Sequence, residues 1–257
     1  IRLGWGQTGN SNIGAYAWGS AISKMPSGLG DGYRPANIPN SAISWEAQEQ
    51  WNVGLDLGFF NDRLNLVVDA YYKISDNMLM DMQLPSYMGT EGNPSSALAA
   101  PKGNYGSIEN KGLEITLDVH PFVGDFQWDS NMQISFNRNK LLSLEGTKNA
   151  ALLGFGQWED PVSKSDVGQP LYNFYGFEVE GVYESLEDIE NSAKPAKYPV
   201  DGVYNRGNTV WVGDIKYKDQ PTVDTDGDGI PDTGDGVITD DDKTNIGSPL
   251  PLFTFGW

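Results

Sequence analysis

The carboxylates best placed to bind a metal ion lie in one acidic stretch, VDTDGDGIPDTGDGVITDDD, residues 223–242. Its first half has the spacing D-x-D-x-D-G-x-x-D, in which alternate side chains of a tight loop can converge on one ion. Calcium prefers six to eight oxygen ligands, and the glycine permits the sharp bend. The ligand set that this spacing predicts is Asp224, Asp226, Asp228, Ile230 through its carbonyl oxygen, Asp232 and Asp235.

The calcium prediction leaves alternatives open. In EF-hand-like numbering Asp235 takes the position at which a longer Glu is usual, so its reach is short. A second register of the same loop motif places Asp235, Gly236 and Asp242 in its later positions. Its first ligand positions are then Pro231 and Thr233, which are poor ligands. One ion with a structural role is expected, a second is open, and a solvated acidic loop is the alternative. Crowded carboxylates without a cation are electrostatically costly, which favours the ion.

Aromatic side chains in the long connecting segments form a second candidate site. A flat ring can pack on the apolar face of a sugar while polar neighbours bind its hydroxyl groups. The alternative is that these side chains only pack the segments against each other. The candidates for ligand contact are Trp18, Tyr33, Tyr87, Trp158, Tyr172 and Tyr175.

Signatures of enzymes are weak in this sequence. Carboxylates on the predicted strands could be interpreted as a glycoside hydrolase pair, but such residues are also common on a polar channel wall. A Ser-His-Asp site would have to use the single histidine, His120, and no G-x-S-x-G phrase accompanies it. The glycines of residues 6–10 lack the Lys-Ser/Thr of a phosphate-binding loop. No enzymatic activity is predicted.

Composition excludes further classes. The 257 residues carry 35 acidic and 17 basic side chains, a formal charge of -18, so no basic stripe is available for nucleic acid. The absence of cysteine excludes disulfides and thiolate sites. No apolar run approaches the length of a membrane helix.

The elements that position these residues are amphipathic strands. In WNVGLDLGFFNDRLNLVVDAYY, residues 51–72, apolar residues alternate with polar ones on both sides of a short polar break, which predicts a hairpin. The same period recurs further along the chain. The strands predicted in this way are 1–7, 48–60, 63–79, 107–121, 125–140 and 252–257.

The connections between these strands are unequal. Two are short turns, whereas the segments 8–47, 80–106 and 141–251 are long and rich in Gly, Pro, Ser and Asn. Only residues 185–194 suggest a helix, with Ser185 as its N-cap. Both ends of the chain fall inside predicted strands, which suggests a piece of a larger protein.

Two architectures share this alternation: a soluble β-sandwich with a calcium loop, such as a surface adhesin, and a membrane β-barrel. Aromatics near strand ends, strand lengths that suit a tilted crossing, and alternating short and long connections favour the barrel. The predicted fold is all-β, an antiparallel transmembrane β-barrel segment whose long loops are extracellular. Six strands are too few to close a barrel.

Several long phrases resemble SusC/RagA-type TonB-dependent transporters of the Bacteroidota outer membrane. They occur in order and cover nearly the whole chain. These phrases are RLGWGQTGN (2–10), WEAQEQWNVGLDLGFFNDRLNLVVDAYYKISDNML (45–79), NYGSIENKGLEITLD (104–118), GQPLYNFYGFEVEGVY (168–183), GDIKYKD (213–219) and IGSPLPLFTFGW (246–257).

The resemblance implies a 22-stranded barrel in the outer membrane, of which this chain is a late segment. It also implies a plug domain and a TonB-binding segment, neither of which is in this sequence, and a SusD-like lipoprotein lid. Transporter–lid pairs are expected to form dimers. Glycan fragments are the expected cargo and peptides the alternative.

Overall fold

The structure, a computed structural model, describes residues 1–10, 16–82, 84, 86–89, 97–144, 151–157 and 160–257. One short α-helix, α1, spans Leu186–Asn191, and 3-10 turns span Ser86–Met88 and Asp240–Asp242. Within the described ranges, no helix is both long and apolar enough to cross a membrane. The strands, in chain order, are β1 (Arg2–Asn10), β2 (Ile22–Ser27), β3 (Gly30–Pro35), β4 (Glu46–Phe59), β5 (Leu64–Asp76), β6 (Leu79–Asp81), β7 (Lys102–Asn104), β8 (Ser107–Val123), β9 (Gln127–Ser143), β10 (Ala151–Phe155), β11 (Pro161–Asp166), β12 (Asn173–Phe177), β13 (Val179–Val182), β14 (Ile215–Tyr217), β15 (Lys243–Gly247) and β16 (Thr254–Gly256).

The chain folds into two compact units. The first comprises residues 1–151, 166–171 and 250–257, and the second comprises residues 152–165 and 172–249.

The first unit contains a six-stranded antiparallel sheet in the order β1-β4-β5-β8-β9-β16. These are the six strands that the period-two pattern predicts, so this part of the prediction is confirmed. The sheet is open, with β1 and β16 at its edges. The turn between β4 and β5 places Phe60, Asn61 and Asp62 in the left-handed region, with φ angles of 56°, 56° and 61°.

Cross-strand register aligns side chains of like character in rows across the sheet. One row toward the long connections, called here the tryptophan row, is Trp5, Trp51, Tyr72, Lys111 and Arg138. Four residue pairs further along the strands lies the middle row, which is wholly apolar: Leu55, Val68, Ile115, Ile134 and Phe255. Because side chains alternate between faces, both rows lie on the same face of the sheet.

That apolar face is open to its surroundings. Trp51 is 54% exposed, Val53 51% and Leu55 37%. A soluble sandwich would bury these side chains beneath a second sheet. Their exposure is what a wall facing hydrocarbon requires.

The second unit has its own small core. Tyr183, Ile189 and Val210 are buried together, with Tyr198 and Tyr204 packed against them. Helix α1 contributes Ile189, and the backbone N–H of Asp188 donates to Ser185 Oγ at 3.0 Å. The predicted helix and its cap are therefore confirmed.

The long connections contain more regular structure than their composition suggests. β2 pairs with β3, β6 with β7, and β13 with β14, while β10, β11, β12 and β15 form a four-stranded sheet. All of these strands are three to six residues long, too short to display an alternation. The sheet strands also extend further than predicted, β1 to Asn10 and β9 to Ser143.

Candidate functional site

The inner face of the six-stranded sheet is a hydrogen-bonded polar surface. Arg2 donates to Asp56 at 2.8 Å through Nε and to Asp69 at 3.0 Å through Nη2. Further across the sheet, the hydroxyl of Tyr71 donates to Asn137 Oδ1 at 2.8 Å. Asn131 donates to Asp118, also across the strands.

Glycines make room for these long polar side chains. A Cβ atom at Gly54 would lie 2.6 Å from Asp69 Oδ1 and 2.8 Å from Cζ of Arg2. A Cβ atom at Gly112 would lie 2.5 Å from the ring of Tyr71. The polar network therefore lies flat across the wall.

The outer face has the opposite chemistry. Trp5 and Trp51 pack with ring centroids 6.0 Å apart, and both indole nitrogens donate to the same oxygen of Glu49, at 2.7 and 3.1 Å. Tyr72 donates to Glu109 at 3.0 Å, and Lys111 lies 2.8 Å from the other oxygen of that carboxylate. Aromatic and charged groups thus border the apolar band on the side of the long connections.

A sheet with one apolar exposed face and one polar face separates two solvents. Rows of aromatics at the edge of the apolar band are typical of side chains at the level of lipid headgroups. The geometry therefore fits a wall with hydrocarbon outside and water inside. His120, in β8, pairs through Nδ1 with Asp129 at 2.7 Å, and no described contact joins this histidine to a serine hydroxyl.

The acidic loop of the second unit brings together three of the predicted calcium ligands. An antiparallel bridge between Val223 and Thr233 closes the loop at its base. Oxygen atoms of Asp224, Asp226 and Asp228 lie within 4.8 Å of one another. Two oxygens bound to one Ca²⁺ can be up to about 5 Å apart, so the three carboxylates fit a shared ion.

Backbone donors hold these carboxylates in place. Asp224 accepts N–H groups from Gly227 at 2.6 Å and from Gly229 at 2.8 Å, and these bonds lower the pKa of its carboxyl group. Asp226 accepts from the N–H of Asp228, and Asp228 from the N–H of Ile230.

The remaining predicted ligands have other contacts. Thr225 Oγ1 donates to Asp232 at 2.6 Å, and the N–H of Val237 donates to Asp235 at 2.8 Å. Neither carboxylate belongs to the group of three within the part of the chain that the structure describes. Ile230 is 67% exposed.

Five of the six candidate aromatics lie within the described residues, and Trp158 lies outside them. Trp18, Tyr33 and Tyr87 are exposed in the first unit, Tyr33 on β3 and Tyr87 in the turn Ser86–Met88. In the second unit Tyr172 precedes β12 and Tyr175 lies within it. No described ring–ring contact joins two of these side chains.

Two contacts fix the tyrosines of the second unit. Tyr172 has a left-handed backbone, φ 58°, and its N–H donates to the buried Ser165 at 2.8 Å. The ammonium group of Lys164 lies 5.3 Å from the ring centroid of Tyr175. Tyr172 remains 62% exposed, whereas Tyr175 is half-buried.

The sequence pattern missed a cavity of about 360 Å³ between connecting segments of the first unit. Its apolar lining includes Ile38, Met82, Leu84, Met88 and Tyr105. Isolated apolar residues within polar segments were the available signal. They show no period, because they come from separate stretches of the chain, around residues 38, 82–88 and 105.

The family described as TonB dependent receptor-like, beta-barrel, matches residues 1–232. TonB-dependent receptor SusC of Bacteroides thetaiotaomicron is 30% identical over 206 residues, 76% of this chain and 19% of that protein. TonB-dependent receptor P26 of Formosa agariphila is 30% identical over 271 residues, 100% of this chain and 23% of that protein.

Solved structures agree on the fold. The RagAB peptide transporter matches 99% of this chain and 24% of its own chain, with a TM-score of 0.70 and 23% identity. The RagAB peptide importer in its 'open-open' state matches with a TM-score of 0.68. The chain spans about a fifth of the length of the curated relatives that it matches.

Fold and wall chemistry define this chain as part of an outer-membrane β-barrel. More specifically, the chain belongs to the TonB-dependent receptor-like β-barrel family, and its relatives are of the SusC/RagA type. This family consists of transporters, and its members are outer-membrane proteins. The membrane interpretation of the strand pattern is thereby confirmed, and the soluble sandwich is excluded.

Proposed function

We propose that this chain forms part of the barrel wall of a TonB-dependent importer of glycan fragments. The observation that carries the proposal is the contrast between the exposed apolar face around Leu55 and the polar inner network around Arg2, Asp56 and Asp69. Such a wall encloses a wet passage and performs no covalent chemistry. Substrate moves inward when TonB pulls on a plug, and the proton-motive force supplies the energy.

The proposed complex includes a SusD-like surface lipoprotein that covers the barrel, and two transporter–lid pairs form a dimer. TonB binds a segment outside the present chain. Affinity purification of the whole transporter from outer membranes tests these partners. Recovery of the transporter without a lipoprotein, under mild detergent extraction, would contradict the lid.

Exposed aromatics on the connections support glycan as cargo. Trp18, Tyr33 and Tyr172 are 56%, 72% and 62% exposed, so their faces are free to stack on sugar rings. Binding of oligosaccharides and of peptides to the whole transporter, measured by calorimetry, separates the two cargo classes. The glycan proposal expects Tyr172→Ala to weaken oligosaccharide binding, while Phe60→Ala, at the short-turn end of the sheet, leaves it unchanged.

Uptake by cells tests transport itself. Cells that lack the transporter should lose uptake of the bound oligosaccharide, and cells that lack TonB should lose it equally. Binding of peptides with no binding of oligosaccharides would replace glycan by peptide as the cargo. Uptake that persists without TonB would refute energy coupling.

We also propose that Asp224, Asp226 and Asp228 bind one structural calcium ion that fixes the shape of residues 223–242. The mutual distances of their oxygens and the closed base of the loop support this proposal. Asp226→Asn with Asp228→Asn should abolish calcium binding in calorimetry of the whole transporter. A charge-matched control, Glu187→Gln with Asp241→Asn, should retain it. Absence of calcium binding in the native protein would remove the proposal.

A further inference from the structure

Three cations lie together on the outer face of the sheet. Lys111 and Arg138 are direct cross-strand partners in the tryptophan row, and Lys140 is the partner of Glu109, two residue pairs nearer the long connections. All three cations are exposed. Lys111, Arg138 and Lys140 are called the basic patch below.

The basic patch holds a local excess of positive charge. Lys111 and Arg138 face each other directly, an arrangement that is unfavourable between like charges. Glu109 lies 2.8 Å from Lys111 and compensates one charge. Arg138 donates to the backbone carbonyl groups of Pro251 and Leu252, each at 3.0 Å, which orients the guanidinium without neutralising it. The chain as a whole has a formal charge of -18, so this local excess of positive charge stands out. An anionic ligand would neutralise it.

The position of the basic patch specifies which anion it meets. Trp51 and Tyr72 share its row, so the patch lies at the headgroup level. Directly below Arg138 on the same face is Phe136, whose ring packs against that of Phe253 with centroids 6.1 Å apart. A ligand at this place meets cations above and an apolar surface below, which matches a lipid with an anionic headgroup.

We propose that the basic patch binds the phosphate of an anionic lipid in the outer leaflet, with the acyl chains of that lipid lying against the aromatic surface below. The proposal rests on the proposed function, in which the long connections are extracellular and this edge of the wall meets the outer leaflet. The role of the lipid is to neutralise the positive charge of the basic patch that Glu109 leaves uncompensated and so to stabilise the pairing of β8 with β9.

Electron paramagnetic resonance on the whole transporter tests the proposal. The protein is reconstituted in phosphatidylcholine vesicles that contain a trace of spin-labelled phosphatidylglycerol or spin-labelled phosphatidylcholine. The immobilised fraction of each label gives their relative affinity for the protein surface. A cation near an anionic headgroup favours it by roughly fivefold, so the native protein should prefer phosphatidylglycerol by at least that factor at its tightest site.

Variants locate the preference. Lys111→Gln with Arg138→Gln and Lys140→Gln should abolish it, and Lys140→Gln alone should reduce it. A control that removes three cations elsewhere, Lys24→Gln with Lys102→Gln and Lys218→Gln, should keep it. Equal preference in the patch variant and the native protein would overturn the proposal, as would its loss in the control alone.

Two further measurements separate the possible failures. Inorganic phosphate, added at constant ionic strength, should leave the lipid preference in place, and its abolition would assign the site to free phosphate. Heat-modifiable migration of the folded barrel in electrophoresis reports assembly. A native protein that inserts and migrates as a barrel but shows no preference refutes the basic patch alone, whereas failure to insert refutes the proposed function.

Discussion

Replacing Ile115 by Arg provides the sharpest test of the membrane wall. Ile115 lies in the middle row between Val68 and Ile134, on the face that carries Leu55. Along β8 it is four residues from Lys111 and four from Val119. Four residues rise about 14 Å along a strand, which a tilt of about 40° reduces to about 10 Å along the membrane normal. Ile115 is therefore placed near the middle of an apolar band about 20 Å high.

The expected cost follows from this depth. An arginine on the lipid face destabilises a barrel by about 2–4 kcal/mol at the midplane and by about 0–1 kcal/mol near the interface. Ile115→Arg should therefore cost about 2–4 kcal/mol and Val119→Arg about 0–1 kcal/mol. Thr116→Arg, one residue from Ile115 but on the polar face, should cost little because water and carboxylates are within its reach.

Urea titration of the whole transporter in phosphatidylcholine vesicles, followed by tryptophan fluorescence, measures the free energy of unfolding of the three variants. The decisive result is a much larger loss of unfolding free energy for Ile115→Arg than for Val119→Arg or Thr116→Arg. Equal costs for Ile115→Arg and Thr116→Arg would refute the assignment of the two faces. A larger cost for Val119→Arg than for Ile115→Arg would refute the assigned depth.

Three further outcomes are expected. Gly112→Val should cost about 1–3 kcal/mol of unfolding free energy, because its side chain would overlap the ring of Tyr71, whereas Gly6→Val, with open space around it, should be nearly neutral in the same urea titration. Ser185→Ala should weaken α1 by about 1 kcal/mol, measured as faster amide exchange in the helix and not in β8. Because the folded pKa of Asp224 is lowered, the order that it gives the metal-free acidic loop should be complete above about pH 4 and lost as the pH falls through that lowered value. Amide exchange in the loop checks this, and Asp224→Asn should remove the pH dependence.

The six-stranded sheet could be predicted from the sequence because the two faces of the sheet contact different solvents. The alternation from Trp51 to Phe59 continues without interruption, and the turn at residues 60–62 separates it cleanly from β5. A pattern of this length predicts both the strands and their register, since a slip by one residue would exchange the faces. Helix α1 could also be predicted from the sequence, because the capping serine Ser185 precedes it.

The short strands of the long connections could not be predicted from the sequence, for a physical reason. Strands such as β6 and β7 are three residues long and are fixed by contacts with distant residues: Asn104 donates to the carbonyl groups of Ser44 and Asn77 at 2.9 and 2.8 Å. No local pattern records such contacts. The spacing of the acidic loop identified Asp224, Asp226 and Asp228 as neighbours, while Asp232 engages Thr225 instead. A local motif predicts which residues of a turn lie close together. It does not predict which hydrogen-bond partner each of them takes.

Glycine placement follows from the same two solvents. Within the apolar band, Gly54 and Gly58 of β4 and Gly112 of β8 all occupy the inner face. A glycine on the lipid face would forfeit apolar contact with hydrocarbon, whereas on the inner face it admits a neighbouring polar chain. Asp69 lies over Gly54, and the ring of Tyr71 lies over Gly112. The glycines thus allow side chains that must satisfy their hydrogen bonds within the wall to reach across a strand, and the polar network and the glycines require each other.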